Sequence, residues 1–451
     1  MSSWSQEELS SIEIGDKRLN RRCQRLLGLL ADSPGKSIPD ACGSWADTMA
    51  AYRLFDNERV TMERILDSHL DSVVGRMKEE PVALCIGDTT EIDFTSMDDT
   101  EGLGPLSKEY VHGLMLHPII AVTPGRINLG VLDACLWARD EKTFGKKRPK
   151  KKLPEEERES YRWIYGYNQV CKLAERVPNT RLVYVTDREG DMTTLLAEAQ
   201  NGPVDILIRS ARNRNLEEDD KLWEHMNSLP SQGEMTFEMP SGPGRSARTV
   251  IQQVRFDTIT LKPAGANHAK LPEIIVTAVY AREENPPAGE DPIEWLLFTT
   301  KTVTTLAQAI VIISWYRCRW EIEVYFRTLK TGFRVERLQL ETADRLKPAI
   351  ALYMITTWRI VYLTKLGRVN PDVPATVAFT EQECEVASRR TKRKEVKRLP
   401  TLREMIRMVA QMGGFLGRKS DGEPGPKSIW SGMEHLRHII AAVPFLNFKV
   451  R

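Results

Sequence analysis

Residues 315–333 read WYRCRWEIEVYFRTLKTGF, an aromatic and apolar run fit for burial that also holds four basic side chains and two glutamates. At 100° per residue the run predicts one helix on which Tyr316, Arg319, Glu323 and Lys330 share roughly a 60° arc, a stripe rising about 21 Å. Cys318, Ile322, Tyr325 and Leu329 project the other way, so the helix buries its back and presents a carboxylate among bases at its front. Such a face suits a polyanion.

Working outward from that helix, the hydrophobic period changes. PVALCIGD (81–88) is a short apolar run ending in Asp88, and RLVYVTD (181–187) is a second one ending in Asp187. LHPIIAV (116–122) and RINLGVLDACLWA (126–138) read as paired strands across a Pro-Gly turn at 124–125. Helices are expected near 161–176 and 191–199, before the strand-like VDILIRS (204–210). Strands that alternate with helices predict an α/β core. The stretch 211–300, rich in Gly, Pro and alternating strands, reads as a mostly β insertion. At the other end, IGDKRLNRRCQRLLGLLA (14–31) predicts an amphipathic helix capped by Asp16. Lys17, Arg18, Arg21, Arg22 and Arg25 form its basic side, Leu19, Leu26, Leu27 and Leu30 its apolar side. With more helical pattern over 42–70 and after 370, the expected division is a helical domain at 1–70, an α/β region at 71–370 and a helical domain at 371–451.

The chain has 451 residues, enough for two or three domains, and 41% hydrophobic content fits a folded globular protein. Its 64 Lys+Arg against 62 Asp+Glu leave a formal net charge of only +2, so any nucleic-acid role must come from clustered charge. Clusters stand at 146–152, KKRPKKK, and 389–398, RRTKRKEVKR, although such runs are commonly solvated surface. The seven cysteines are scattered without C-x-x-C or zinc spacing and read as reduced thiols. The first residues lack a secretory pattern, and the apolar segment 348–363 is short and interrupted by Arg359; the expectation is a cytoplasmic, nucleoid-associated protein with no membrane partner. GLLADSPGKS (28–37) ends like a phosphate-binding loop but puts six residues between its glycines instead of four, so no nucleotide cofactor is expected.

Three carboxylates stand out. Asp88 and Asp187 each follow an apolar strand, and Glu323 lies on the basic helix; two strand-end carboxylates joined by one from a helix can hold two Mg²⁺ or Mn²⁺ ions about 3.5–4 Å apart for in-line attack on a phosphodiester. Lys330 and Arg319 would then hold phosphate oxygens, with Tyr316 adding a hydroxyl donor. Each residue also has a plainer explanation: Asp187 in DREGD caps the next helix, and Glu323 pairs with Arg319 or Arg327.

Taken jointly these residues resemble the IS-four family of DDE transposases. NPPAGEDPIEWLLFTT (285–300) and LAQAIVIISWYRCRWEIEVYFRTLKTG (306–332) carry the resemblance, with Tyr316, Arg319, Glu323 and Lys330 fitting the family's Tyr-x2-Arg-x3-Glu-x6-Lys signature without a gap. The family's strand-end DTT is matched by Asp88 in IGDTTEIDF and its DRE by Asp187 in VTDREGD. The likeness runs from GDKR and GKSI near the start to GGFLGRKS and IWSGMEHL near the end. It implies a ribonuclease-H-like core with a β insertion, an N-terminal domain that reads transposon ends, and a C-terminal part that pairs two protomers. It further implies nicking, hairpin formation and opening, and strand transfer into target DNA without ATP. Trp295 matches the position on which the family stacks a flipped base, although a strand Trp is ordinarily core. Arg209 joins the expected DNA contacts. Glu91 and Asp93, close after Asp88, depart from the family pattern and raise the question whether either assists the metal, and the loop 145–160 is more basic than the family's. The rival readings are a metal-dependent nuclease without strand transfer, a non-catalytic DNA-binding inhibitor of transposition, and an inactive relic.

Overall fold

The computed structural model describes residues 3–446 apart from 98, 143, 146–153, 218–219, 240–245, 264–270 and 392–397. The basic run 146–152, with most of the run 389–398, lies outside the described residues. The chain divides into two compact units, one made of Met1–Arg76, Thr89–Lys150 and Glu321–Arg451, the other of Met77–Asp88 and Lys151–Trp320.

Five helices open the chain: α1 (Ser3–Glu8), α2 (Lys17–Asp32), α3 (Ile38–Cys42), α4 (Trp45–Phe55) and α5 (Met62–Lys78). The side chains of Asp16, Ser37 and Ser44 cap α2, α3 and α4, each accepting a backbone N–H of the first turn. Strands β1 (Val82–Gly87), β2 (Thr90–Asp93), β3 (Gly104–Pro105), β4 (His112–Val122) and β5 (Asn128–Trp137) follow. Helix and strand then alternate through α6 (Arg162–Ala174), β6 (Arg181–Thr186), α7 (Thr193–Ala199), β7 (Asp205–Arg209) and α8 (Leu222–Ser228). Next come β8 (Gly233–Met239), β9 (Arg248–Leu261), β10 (Ile274–Glu283) and β11 (Glu294–Thr299). The chain ends in α9 (Leu306–Arg317), α10 (Trp320–Arg327), α11 (Ala343–Val369), α12 (Glu381–Arg390), α13 (Leu402–Met412) and α14 (Pro426–Leu446). A mixed sheet with helical flanks is the α/β class expected, and no helix among the described residues is long and apolar enough to cross a membrane.

In the second unit the strands run in the order β1-β6-β7-β11-β10-β9-β8. β1, β6 and β7 are parallel, and β11 returns antiparallel to β7. Continuous apolar runs make β1 and β6 buried on both faces: Ala83, Leu84, Cys85, Ile86, Val183, Tyr184 and Val185 are all fully buried. β9 instead alternates buried and part-exposed residues and packs one face against α9. Over 211–300 lie α8 and the strands β8–β11, and β8–β10 extend the same sheet through β11.

In the first unit β4 pairs antiparallel with β2, β3 and β5. The β4–β5 turn is closed by the Thr123 N–H donating to Ile127 O at 2.9 Å, with Arg126 held at φ +68°. The 27-residue α11, whose apolar segment is core, packs on β5, α2, α4, α13 and α14. A buried polar network ties α1 to this core. Glu8 accepts from Arg76 at 2.8 Å and from the His69 Nδ1–H at 2.6 Å, while the His69 Nε2 accepts the Val131 N–H at 3.0 Å. Arg76 also lies 4.2 Å over the Trp358 ring. Gly130, at φ +148°, permits this approach, since a Cβ there would sit 2.2 Å from Val73.

The helix expected across 315–333 is broken. α9 stops at Arg317; the Cys318 and Arg319 N–H groups donate three residues back, to Trp315 O and Tyr316 O, and α10 restarts at Trp320. A π-turn then spans Thr328–Gly332, closed by the Phe333 N–H donating to Thr328 O at 3.1 Å. Thr328 and Thr331 donate their hydroxyls back to Val324 O and Arg327 O, which loosens the ordinary ladder. The single straight stripe is therefore interrupted twice.

Candidate active site

The site is built from strand ends. β1 and β6 pair parallel with Val82 opposite Arg181 and Ile86 opposite Val185. Asp88 directly follows β1 and Asp187 directly follows β6, so each aspartate stands just past the end of one of two adjacent parallel strands. Asp187 also caps the turn Arg188–Gly190, its Oδ1 accepting the Glu189 N–H at 2.8 Å. Gly190 lets this turn close onto the strand, because a Cβ there would lie 2.1 Å from Thr186 Oγ1. Capping and strand-end placement thus coincide in one residue. Carboxylate oxygens are the ligands a hard divalent cation takes. Among the described residues no group of three His, Cys, Asp or Glu side chains is gathered to hold a metal ion.

Around the two aspartates stand bases and aromatics of the same unit. Arg319, between α9 and α10, donates from Nη1 to Asp88 Oδ2 at 2.8 Å, both side chains being 17% exposed. Tyr316 is buried, and burial pushes its hydroxyl above the usual range while Arg319 and Arg209 oppose that shift. Arg209 is pulled below its ordinary value by burial, with Tyr316 acting the other way as its hydrogen-bond partner. Arg209 also donates to Glu294 O at 3.0 Å. The half-buried Trp295 meets Tyr316 edge-on at 6.3 Å. Its face is covered by Phe237, stacked at 5.7 Å and 20°, with the Arg317 guanidinium 4.2 Å over Phe237. Sequence reading missed Phe237 and Gly190: the one lies far from Trp295 along the chain, and the other is legible only once the turn is folded. It also passed over Trp320, which is 58% exposed.

The first unit holds the remaining residues. Glu323 is part-buried on α10. Its neighbour Glu321 is 2% exposed and neutralised by Arg126 at 3.2 Å and Lys365 at 3.0 Å, so the two glutamates of the opening stretch have different surroundings. Lys330, on the π-turn, lies 3.4 Å from Glu336, whose Oε1 accepts the Asp93 N–H. Asp93 accepts from the Thr95 N–H and hydroxyl at 2.8 and 2.6 Å, and Glu91 lies 3.8 Å from Arg139. Both acids are thus engaged in local structure. On α2, Lys17, Arg18, Arg21 and Arg25 are exposed and Arg22 half-exposed, with Arg25 donating to Asp47 at 2.9 Å. Cys23, Leu26, Leu27 and Leu30 form its buried side, whereas Leu19 is only part-buried.

Three family matches cover most of the chain. Residues 1–60 match the transposase DNA-binding family and residues 355–446 the transposase Tn5 dimerisation domain. Residues 132–358, just over half the chain, match the transposase DDE domain; this stretch includes Asp187 and Glu323 and begins after Asp88. Among solved structures the chain is similar to a piggyBac transposase synaptic complex with hairpin DNA, at 9% identity and a TM-score of 0.38, over 82% of this chain and 72% of that one. On the domain match, the chain belongs to the DDE transposase family, whose enzymes cleave DNA and transfer the cut strand.

Proposed function

We propose that the chain carries out cut-and-paste transposition. It binds the inverted repeats at transposon ends, nicks one strand, turns the freed 3′-hydroxyl on the opposite strand to form a hairpin, opens it and joins the end to target DNA. The observation that supports this reading is the parallel pairing of β1 and β6, two adjacent strands that lead directly into Asp88 and Asp187.

DDE transposases work with divalent metal ions, and we assign two Mg²⁺, replaceable by Mn²⁺, to Asp88, Asp187 and Glu323. Bound there, such ions activate an attacking water or hydroxyl and stabilise the leaving oxygen. Arg319 neutralises Asp88 and is the basic group that, with Lys330 on the π-turn, holds a phosphate oxygen beside the cations. Trp295 takes the flipped base once Phe237 gives way, with Tyr316 and Arg209 bordering the slot. Residues 1–70 read the ends through the basic side of α2, 71–370 cut and join, and 371–451 pair two protomers in the synaptic complex, all within the nucleoid of a bacterial cytoplasm.

The test is to incubate the purified protein with Mg²⁺ and DNA carrying the element's own flanking inverted repeats. Nick, hairpin and strand-transfer products should appear in that order. Cleavage without joining would make the protein a nuclease, and binding without cleavage an inhibitor of transposition.

A further inference from the structure

We propose that Asp191 and Arg214 are a positioning pair for cleavage, fixing the turn that carries Asp187 against the segment that carries Arg209. This rests on the reading of Asp187 as a cation ligand. Both side chains are buried, Asp191 at 0% and Arg214 at 4% exposure. Arg214 donates to Asp191 Oδ1 from Nε at 2.9 Å and from Nη2 at 2.5 Å; Nη2 also donates to the Asp191 carbonyl at 3.0 Å and Nη1 to Thr193 Oγ1 at 3.1 Å. The second carboxylate oxygen accepts the Ala211 N–H at 2.8 Å.

Those bonds join two segments whose own strands only run alongside each other. Asp191 closes the turn that starts at Asp187, its N–H donating to Arg188 O, and Ala211 lies two residues past Arg209 at the end of β7. β6 and β7 pair through Thr186 and Ile208, and beyond that point the ladder stops. The planar fork of Arg214 and the two oxygens of Asp191 continue the connection past the ladder. A buried ion pair stabilises a fold no better than an apolar pair of similar volume. What this pair adds is a set distance and angle between Asp187 and Arg209, which an apolar contact would not define.

The experiment uses the full chain bound to its transposon-end DNA. Two variants are compared with wild type, Arg214→Lys, which keeps the charge and loses the fork, and the double change Asp191→Leu with Arg214→Met, which removes both charges. Melting temperature and end binding report folding. Mn²⁺ bound to the protein–DNA complex is followed by electron paramagnetic resonance, and nicking is titrated with Mn²⁺. Both variants should bind ends as wild type does yet need about 10- to 100-fold more Mn²⁺ for half-occupancy and for half-maximal nicking. An unshifted Mn²⁺ midpoint in a folded variant overturns the proposal, as does failure of both variants to fold, which would assign the pair to stability alone. Asp187→Asn serves as control: unchanged Mn²⁺ binding there sinks the ligand reading of Asp187, a failure separate from that of the pair.

Discussion

Asp187 both caps a turn and directly follows a strand, and one oxygen of its side chain is held by the Glu189 N–H. Asp88→Asn, Asp187→Asn and Glu323→Gln should each lower nicking by more than about 100-fold while end binding in a gel shift stays intact, because each removes ligand charge with little change of shape. A purified variant that nicks near the wild-type rate would take its residue out of the site. Trp295 gives a sharper division. If it receives a base, Trp295→Ala spares the first nick and slows hairpin formation by roughly 5- to 150-fold, the equivalent of about 1–3 kcal/mol of stacking. If its contact with Phe237 is only packing, both steps fall together with the melting temperature, so a time course resolving the two products beside a melt decides. At this scale sequence legibility was partial. Strand-end aspartates follow from apolar runs, but nothing local distinguishes Glu321, buried between Arg126 and Lys365, from Glu323 two positions on.

The elements most legible in the chain were those with an unambiguous period and a chemical stop. β1 and β6 are short β-rich apolar runs that end in aspartate, and α2 carries its cap in its own sequence. The break after Arg317 was not legible, because the apolar pattern continues across it. Just past the break, Arg319 bonds to a residue 231 positions earlier in the chain, a contact no local pattern announces. The exposed basic side of α2 carries the element-scale prediction. Neutralising Arg18 and Arg22 together should weaken end binding and reduce the slope of log affinity against log salt by about one unit for each phosphate no longer neutralised. Affinity and slope that both stay at wild-type values over a salt series would leave that side as solvated surface.

For the molecule as a whole, the network around Glu8 predicts a pH dependence of stability. Burial alone would raise the Glu8 carboxyl, but His69 and Arg76 outweigh it and hold it at about 2, down from 4.5. A depressed carboxylate contributes stability that is complete above pH 4.5 and lost as pH falls toward 2. Glu8→Gln should therefore lower the urea midpoint clearly at pH 7, and the gap from wild type should close between pH 4.5 and the acid limit; a pH-independent gap would refute the linkage. The α/β class was legible from the order of strands and helices, whereas the division into units was not, since one unit is assembled from three separate stretches. That assembly has a consequence for synthesis. Leu26, Leu27 and Leu30 of α2 face a core to which α11 contributes, and α11 begins at Ala343. While the ribosome is still making the middle of the chain, α2 packs on α1, α3 and α4 but lacks the cover that α11 gives it, and closing a loop of this length adds entropic cost only slowly with further growth. The nascent chain therefore carries part of that apolar surface open until its last quarter emerges, which makes it a client for chaperones during translation and makes a product truncated before Ala343 prone to aggregate.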